Sequence, residues 1–99
     1  VCLDVVEHFE RPQAETVVQN VMASLRPGGV AIIGTPNSVS APYASARRKA
    51  SHPFEYDPKT FDQLLSGAFQ RRQTYAMTDE VVSTGFLPLA WYLMAVCWK

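Results

Sequence analysis

The chain has 99 residues, nine of them basic and nine acidic, so its formal net charge is zero and no global field draws it to nucleic acid or to an anionic membrane. With 47% hydrophobic, 11% aromatic and 18% charged residues, the composition is that of a core-forming domain and excludes intrinsic disorder. The length allows one small domain at most.

Val1 to Val6 is an apolar run broken by Asp4, which predicts a buried strand ending near Asp4. Glu7 to Pro12 reads as a polar turn, with Pro12 suited to the first turn of a helix, where its missing N–H costs nothing. Ala14, Val17, Val18, Val21, Met22 and Leu25 then recur at helical spacing and make one apolar face. Arg26 is expected in the last turn of that helix, where a cation suits the dipole. Pro27-Gly28-Gly29 stops it. Val30 to Thr35 is a second strand, apolar without alternation, as in a parallel sheet covered on both faces.

Pro36 to Tyr56 shows no periodicity and reads as a long loop, the kind of segment that serves as a lid or binding element. Asp57-Pro58 is a helix-starting pair, and Phe61, Leu64, Leu65 and Ala68 carry the apolar face of the helix it starts. Phe69 to Met77 is predicted as an outer strand, Asp79 to Pro88 as a loop, and Leu89 to Trp98 as a closing strand. No helix separates the last two strands, so they are expected to pair antiparallel. The aromatic cluster Phe86, Trp91, Tyr92 and Trp98 is read as strand core rather than as a pocket for an aromatic ligand.

Cys2 and Cys97 sit in apolar runs and match no metal or redox spacing, so they read as buried free thiols in a reducing compartment. The longest apolar stretch, Phe86 to Trp98, contains Pro88 and is too short to span a bilayer. No signal peptide is recognisable at the N-terminus. A soluble, cytoplasmic protein is expected. The opening Val-Cys-Leu-Asp-Val-Val lacks Met and reads as the middle of a strand, which predicts a fragment of a larger domain.

Three motifs in order carry a resemblance. They are Leu3-Asp4-Val5-Val6-Glu7-His8-Phe9, then Leu25-Arg26-Pro27-Gly28-Gly29-Val30 after a helix, then Ile33-Gly34-Thr35-Pro36-Asn37. With the later His52-Pro53-Phe54-Glu55-Tyr56, followed by a helix and by Phe69, this set resembles the second half of class I S-adenosylmethionine-dependent methyltransferases. The resemblance covers essentially the whole chain. It implies an α/β, Rossmann-like sheet of order 3-2-1-4-5-7-6, of which residues 1–99 would supply strands 4, 5, 6 and 7 in the order 4-5-7-6, with strand 7 antiparallel and helices flanking. The Gly-rich loop after strand 1 and the acid ending strand 2 belong to the half that is not in this sequence. In such sheets the ligand sits at the carboxyl ends of the strands where their order reverses, so this chain would form one wall of the site.

The resemblance also implies roles. The backbone of Leu3, Asp4 and Val5 would line the S-adenosylmethionine pocket. His8 and His52 are the candidate catalytic bases, because imidazole accepts a proton near neutral pH. Glu7, Asn37 and Tyr56 are candidates for holding a small-molecule acceptor methylated at oxygen. No metal is expected on this reading. The alternative draws Asp4, Glu7, His8 and His52 together as ligands for Mg²⁺ or Mn²⁺, as in the metal-assisted RNA 2′-O-methyltransferases, which carry a similar acid-x-x-Glu-His. If a turn after the first strand is helical, offsets of three and four bring Asp4, Glu7 and His8 to one side. A reading from another class is a non-catalytic interaction module. Its bare first-strand edge would pair with a second copy, so a homo-oligomer is expected, with no membrane partner and no nucleic acid on the leading reading.

Overall fold

A computed structural model describes every residue of the chain except Glu80. Five strands form one open, mixed sheet: β1 (Cys2–Leu3), β2 (Val30–Pro36), β3 (Arg71–Thr78), β4 (Val81–Ser83) and β5 (Tyr92–Trp98). Their spatial order is β1-β2-β5-β3-β4. β1 runs parallel to β2, and β5 lies antiparallel between β2 and β3. The helices are α1 (Arg11–Ser24), α2 (Ala46–Ser51) and α3 (Pro58–Ser66). The α/β architecture, the four expected strands and their neighbour order are all present, and β4 is an additional edge strand.

Side-chain alternation divides the sheet into two unlike faces. Ala31, Ile33, Leu93, Ala95, Cys97 and Ala76 point to one face and form the core with Val6, Ala14 and Val18 and with Phe61, Leu64 and Leu65 of α3. Burying each large apolar side chain in that core contributes about 1.5–3 kcal/mol. On the other face, Ile32, Met94, Val96 and Trp98 are half-buried. β2 is therefore not covered on both faces as its unbroken apolar run predicts.

Several boundaries differ for local reasons. β1 stops at Leu3, because Asp4 takes a left-handed φ of 55° and turns the chain into a 3-10 segment, Val6–His8. The expected polar turn is thus a tight helical one, and its Glu7 is buried. α1 ends at Ser24, so Arg26 falls beyond the last turn, where its carbonyl accepts from the Gly29 amide. Gly28 follows with φ 76°, a conformation glycine adopts without strain. The long loop holds a 3-10 segment, Ser38–Tyr43, and the short α2, capped by Ser45, whose hydroxyl accepts from the Arg48 amide. Capping rather than an apolar face makes α2, so hydrophobic periodicity does not reveal it; no residue of it is buried. Asp57 caps α3 as expected, in a reciprocal capping box with Thr60. The predicted loop after β3 contains β4 and a 3-10 segment, Leu87–Leu89, which delays β5 to Tyr92.

The aromatic cluster is corrected as well. Phe86 is 71% and Trp91 47% exposed, while Tyr92 and Trp98 are half-buried on the open face. None of the four belongs to the buried core. Of the two free cysteines, Cys97 is buried and Cys2 half-buried. Among the described residues, no helix is long and apolar enough to cross a membrane.

Candidate functional site

The carboxyl ends of β1, β2 and β3 and the amino end of β5 meet along one rim of the sheet. Candidate residues gather there on both faces, in two groups of opposite character.

The first group lies on the helix-covered face. In a 3-10 segment successive side chains point about a third of a turn apart, so Val6 enters the core, Glu7 turns inward and His8 stays exposed. Glu7 is 1% exposed. Its Oε2 accepts a hydrogen bond from Thr35 Oγ1 at 3.2 Å, and its Oε1 is buried with no partner. Burial pushes the Glu7 carboxyl above its ordinary range, Asp4 adds to the rise, and Thr35 and His52 oppose it. His52 reaches the same place from the far end of α2. The two imidazoles meet edge to face with centroids 4.5 Å apart. Each of Glu7, His8 and His52 offers a ligating atom within 4.8 Å of the others.

The ring nitrogens are set by neighbours. His8 Nδ1 lies 2.9 Å from the Ser51 carbonyl oxygen, which can only accept, so Nδ1 carries a proton and, in the neutral ring, the lone pair is on Nε2. His52 Nδ1 is 3.4 Å from Glu55 Oε1 without a hydrogen bond. The other Glu55 oxygen accepts from Arg48 Nη2 at 3.0 Å, and the same guanidinium nitrogen donates to Ser40 Oγ at 3.0 Å. Of this outer layer, Thr35 and Glu55 stand within the motifs of the sequence but were given no role there, and Ser40 and Arg48 were not selected. The polar Thr35 at the end of an otherwise apolar strand is an advance signal.

The second group lies on the open face. A cavity of about 290 Å³ is lined by Leu3, Asp4, Met77, Asp79, Trp91, Tyr92 and Met94. Gly34 makes room for two of its walls: a Cβ there would lie 2.6 Å from the Tyr92 ring and 2.9 Å from Leu3 Cδ2. The Tyr92 hydroxyl is buried without a hydrogen-bond partner, and burial, reinforced by Asp4, pushes its pKa well above the ordinary phenol value.

The predicted residues therefore separate. Glu7, His8 and His52 come together. Asp4 does not join them; its left-handed turn carries it to the cavity with Leu3. The expected one-sided set of Asp4, Glu7 and His8 fails because the helical segment starts only at Val6. Val5 is half-buried, outside the cavity lining, and its carbonyl accepts from the His8 amide. Asn37 is buried, and its amide donates to the carbonyls of Ala90 at 2.7 Å and Leu87 at 3.1 Å, fixing the segment before β5. Tyr56 is fully buried against Phe54 and Phe61, its hydroxyl unpartnered and its pKa raised by burial. Sequence reasoning did not select Asp79, Met77 or Met94, and it assigned Trp91 and Tyr92 to the core. Comparison with protein-family models, with curated proteins and with solved structures finds no match.

Proposed function

We propose that the chain is the acceptor-side half of an S-adenosylmethionine-dependent methyltransferase domain, acting at an oxygen of a small molecule. The observation that carries this reading is the position of β5, antiparallel between β2 and β3. That order is the 4-5-7-6 arrangement implied by the ordered motifs around Asp4, Pro27 and Asn37. A candidate base and a cavity also lie at one rim, on opposite faces of the sheet, and strand-end rims are where ligands bind in open α/β sheets.

Bound S-adenosylmethionine supplies an electrophilic methyl group. The backbone of Leu3, Asp4 and Val5 would form one wall of its site. The chain's own contribution is to orient the acceptor and take its proton. His8 suits the proton transfer, because its Nδ1–H is engaged by Ser51 and the lone pair on Nε2 can accept the hydroxyl proton as the oxygen attacks. His52 stands beside it as the second candidate. Asn37 and Tyr56 would act on the acceptor indirectly, through the segments they hold.

A second reading is favoured by one feature, the buried and unpartnered Oε1 of Glu7 beside two imidazoles. One carboxylate and two imidazoles are a donor set that a divalent cation such as Mn²⁺ accepts, and the Ser51 and Glu55 oxygens behind the rings resemble the supports that orient metal-bound histidines. Glu7, His8 and His52 would hold the ion, without Asp4. On that reading the chain would belong to a metal-assisted RNA 2′-O-methyltransferase, holding its ion with three of the four expected ligands.

The test is transfer of a labelled methyl group from S-adenosylmethionine by the protein encoded by the complete reading frame. The leading reading expects transfer to small hydroxylated acceptors, insensitive to EDTA and reduced at least tenfold by His8→Ala. Transfer to RNA that requires Mn²⁺ and is abolished by Glu7→Ala and His52→Ala would establish the second reading instead. No transfer to either class would leave a non-catalytic module.

A further inference from the structure

The cavity on the open face has a composition that selects its ligand. Two carboxylates, Asp4 and Asp79, stand at its edge, and two aromatic rings, Trp91 and Tyr92, and two thioethers, Met77 and Met94, make its walls. Among the described residues that line it, none is basic. Carboxylates against apolar walls focus a negative potential, which repels phosphate and carboxylate ligands. A hard metal ion is equally ill served, because sulfur and aromatic carbon are poor ligands for it, and among the described residues Asp4 and Asp79 belong to no ligating cluster. Aromatic faces with nearby carboxylates suit a cation that carries its charge on a shell of alkyl groups.

The walls are placed in advance of any ligand. Trp91 keeps 47% of its surface exposed although it adjoins β5, a strand with no exposed residue. Its ring meets the exposed Tyr43 edge to face at 5.5 Å. Its carbonyl accepts from the Asn37 amide at 2.9 Å, and the Asn37 side chain grips the preceding residue, Ala90. Tyr92 is seated over Gly34, where any larger residue would displace it. Asp4 and Asp79, with φ of 55° and 54°, are the two non-glycine residues with left-handed backbone among the described residues, and both line this cavity. The volume, about 290 Å³, is near the lower limit of small-ligand pockets and suits a head group rather than a large molecule.

We infer that this cavity binds the ammonium end of a small organic cation, with Trp91 and Tyr92 against its alkyl groups and Asp4 and Asp79 as countercharge. Applied to the proposed methyl transfer, it makes the acceptor a molecule that bears an ammonium group. The binding itself does not depend on that reaction, so the two can fail separately.

The experiment titrates choline into the 99-residue chain and follows the indole N–H signal of Trp91 by NMR, with Trp98 as the internal reference. The neutral isostere 3,3-dimethylbutan-1-ol measures shape without charge, and trimethylsulfonium measures a methyl donor's cation. Choline is expected to shift Trp91 saturably and to bind at least tenfold more tightly than the alcohol. Asp4→Asn and Asp79→Asn are each expected to weaken choline about threefold or more; asparagine tolerates the same left-handed backbone, so the fold is kept and the remaining amide signals verify it. Trp91→Leu, followed on Tyr92 signals, is expected to cost about tenfold. Equal binding of choline and the alcohol, unchanged affinity in both asparagine variants, or no saturable shift up to roughly 100 mM choline, weaker than any useful recognition, would overturn the proposal. So would trimethylsulfonium binding tenfold more tightly than choline, which would give the cavity to a methyl donor.

Discussion

The two faces of the sheet meet the same rim and solve opposite problems. On the helix-covered face, a carboxylate and two imidazoles are packed behind Thr35, Arg48 and Glu55, and Glu7 is left with an unanswered oxygen. On the open face, aromatic and thioether side chains stay half in water beside two carboxylates. The first arrangement holds the Glu7 carboxyl where solvation is lost, so its proton state responds to nearby charge. The second holds apolar groups where solvation is kept, so they remain free to cover something. One chain turn, the left-handed Asp4 followed by Val6–His8, sends Asp4 to one side and Glu7 to the other.

The strongest way to break this contrast is to shorten one side chain on each face. Phe61 is fully buried on the covered face, and Phe61→Ala is expected to cost about 3–5 kcal/mol, a large share of what a domain of this size possesses. Val96 on the open face is half-buried, and Val96→Ala is expected to cost no more than about 1 kcal/mol. Denaturant unfolding compares them; equal costs would mean that both faces are covered in solution. Next in size is Asn37→Ala, which leaves the carbonyls of Ala90 and Leu87 without their side-chain donor. A loss of about 1–3 kcal/mol is expected, with a change in Trp91 fluorescence as the segment before β5 loosens. An unchanged fluorescence would separate the two faces more completely than the hydrogen bonds imply.

A smaller effect concerns Glu7. Because burial raises its folded-state pKa above the ordinary 4.5, its contribution to stability is fully present below that ordinary value and is lost as pH rises through the folded pKa. Stability measured against Glu7→Gln should therefore favour the wild-type chain near pH 4 and decline toward pH 7. A flat difference would contradict the buried, unpaired carboxylate. A decline abolished by Mn²⁺ would favour the metal reading. The smallest effect is expected at the sheet edge. β1 has two residues, and its exposed Leu3, with Val1 just before the strand, offers a short edge; concentration-dependent association in sedimentation is expected, weak because so short an edge pairs poorly. A clean monomer at high concentration would remove the oligomer.

Much of the layout was legible because local signals and tertiary demands agreed. The apolar face from Ala14 to Leu25 and the Asp57-Pro58 start became what their patterns require, and Val30–Thr35 became a strand, though one with a single covered face. His52 does lie beside Glu7 and His8, although 44 residues separate it from His8, but the metal alternative that grouped these three expected Asp4 with them. What stayed hidden was set by single backbone turns and by context. Hydrophobic periodicity cannot report that Asp4 is left-handed, and that one angle removes it from the Glu7 group. An apolar strand looks the same with one face covered or two, so Trp91 and Tyr92 read as core. α2 depends on a Ser45 cap within an aperiodic stretch.

The central claim, that this chain is the acceptor side of a methyltransferase domain, is tested most directly by calorimetric titration of S-adenosylmethionine. The 99-residue chain and the protein from the complete reading frame are titrated side by side. Saturable binding by the complete protein is expected, with negligible heat from the chain alone, which on this reading would carry only one wall of the site. Absence of binding by both would contradict the claim.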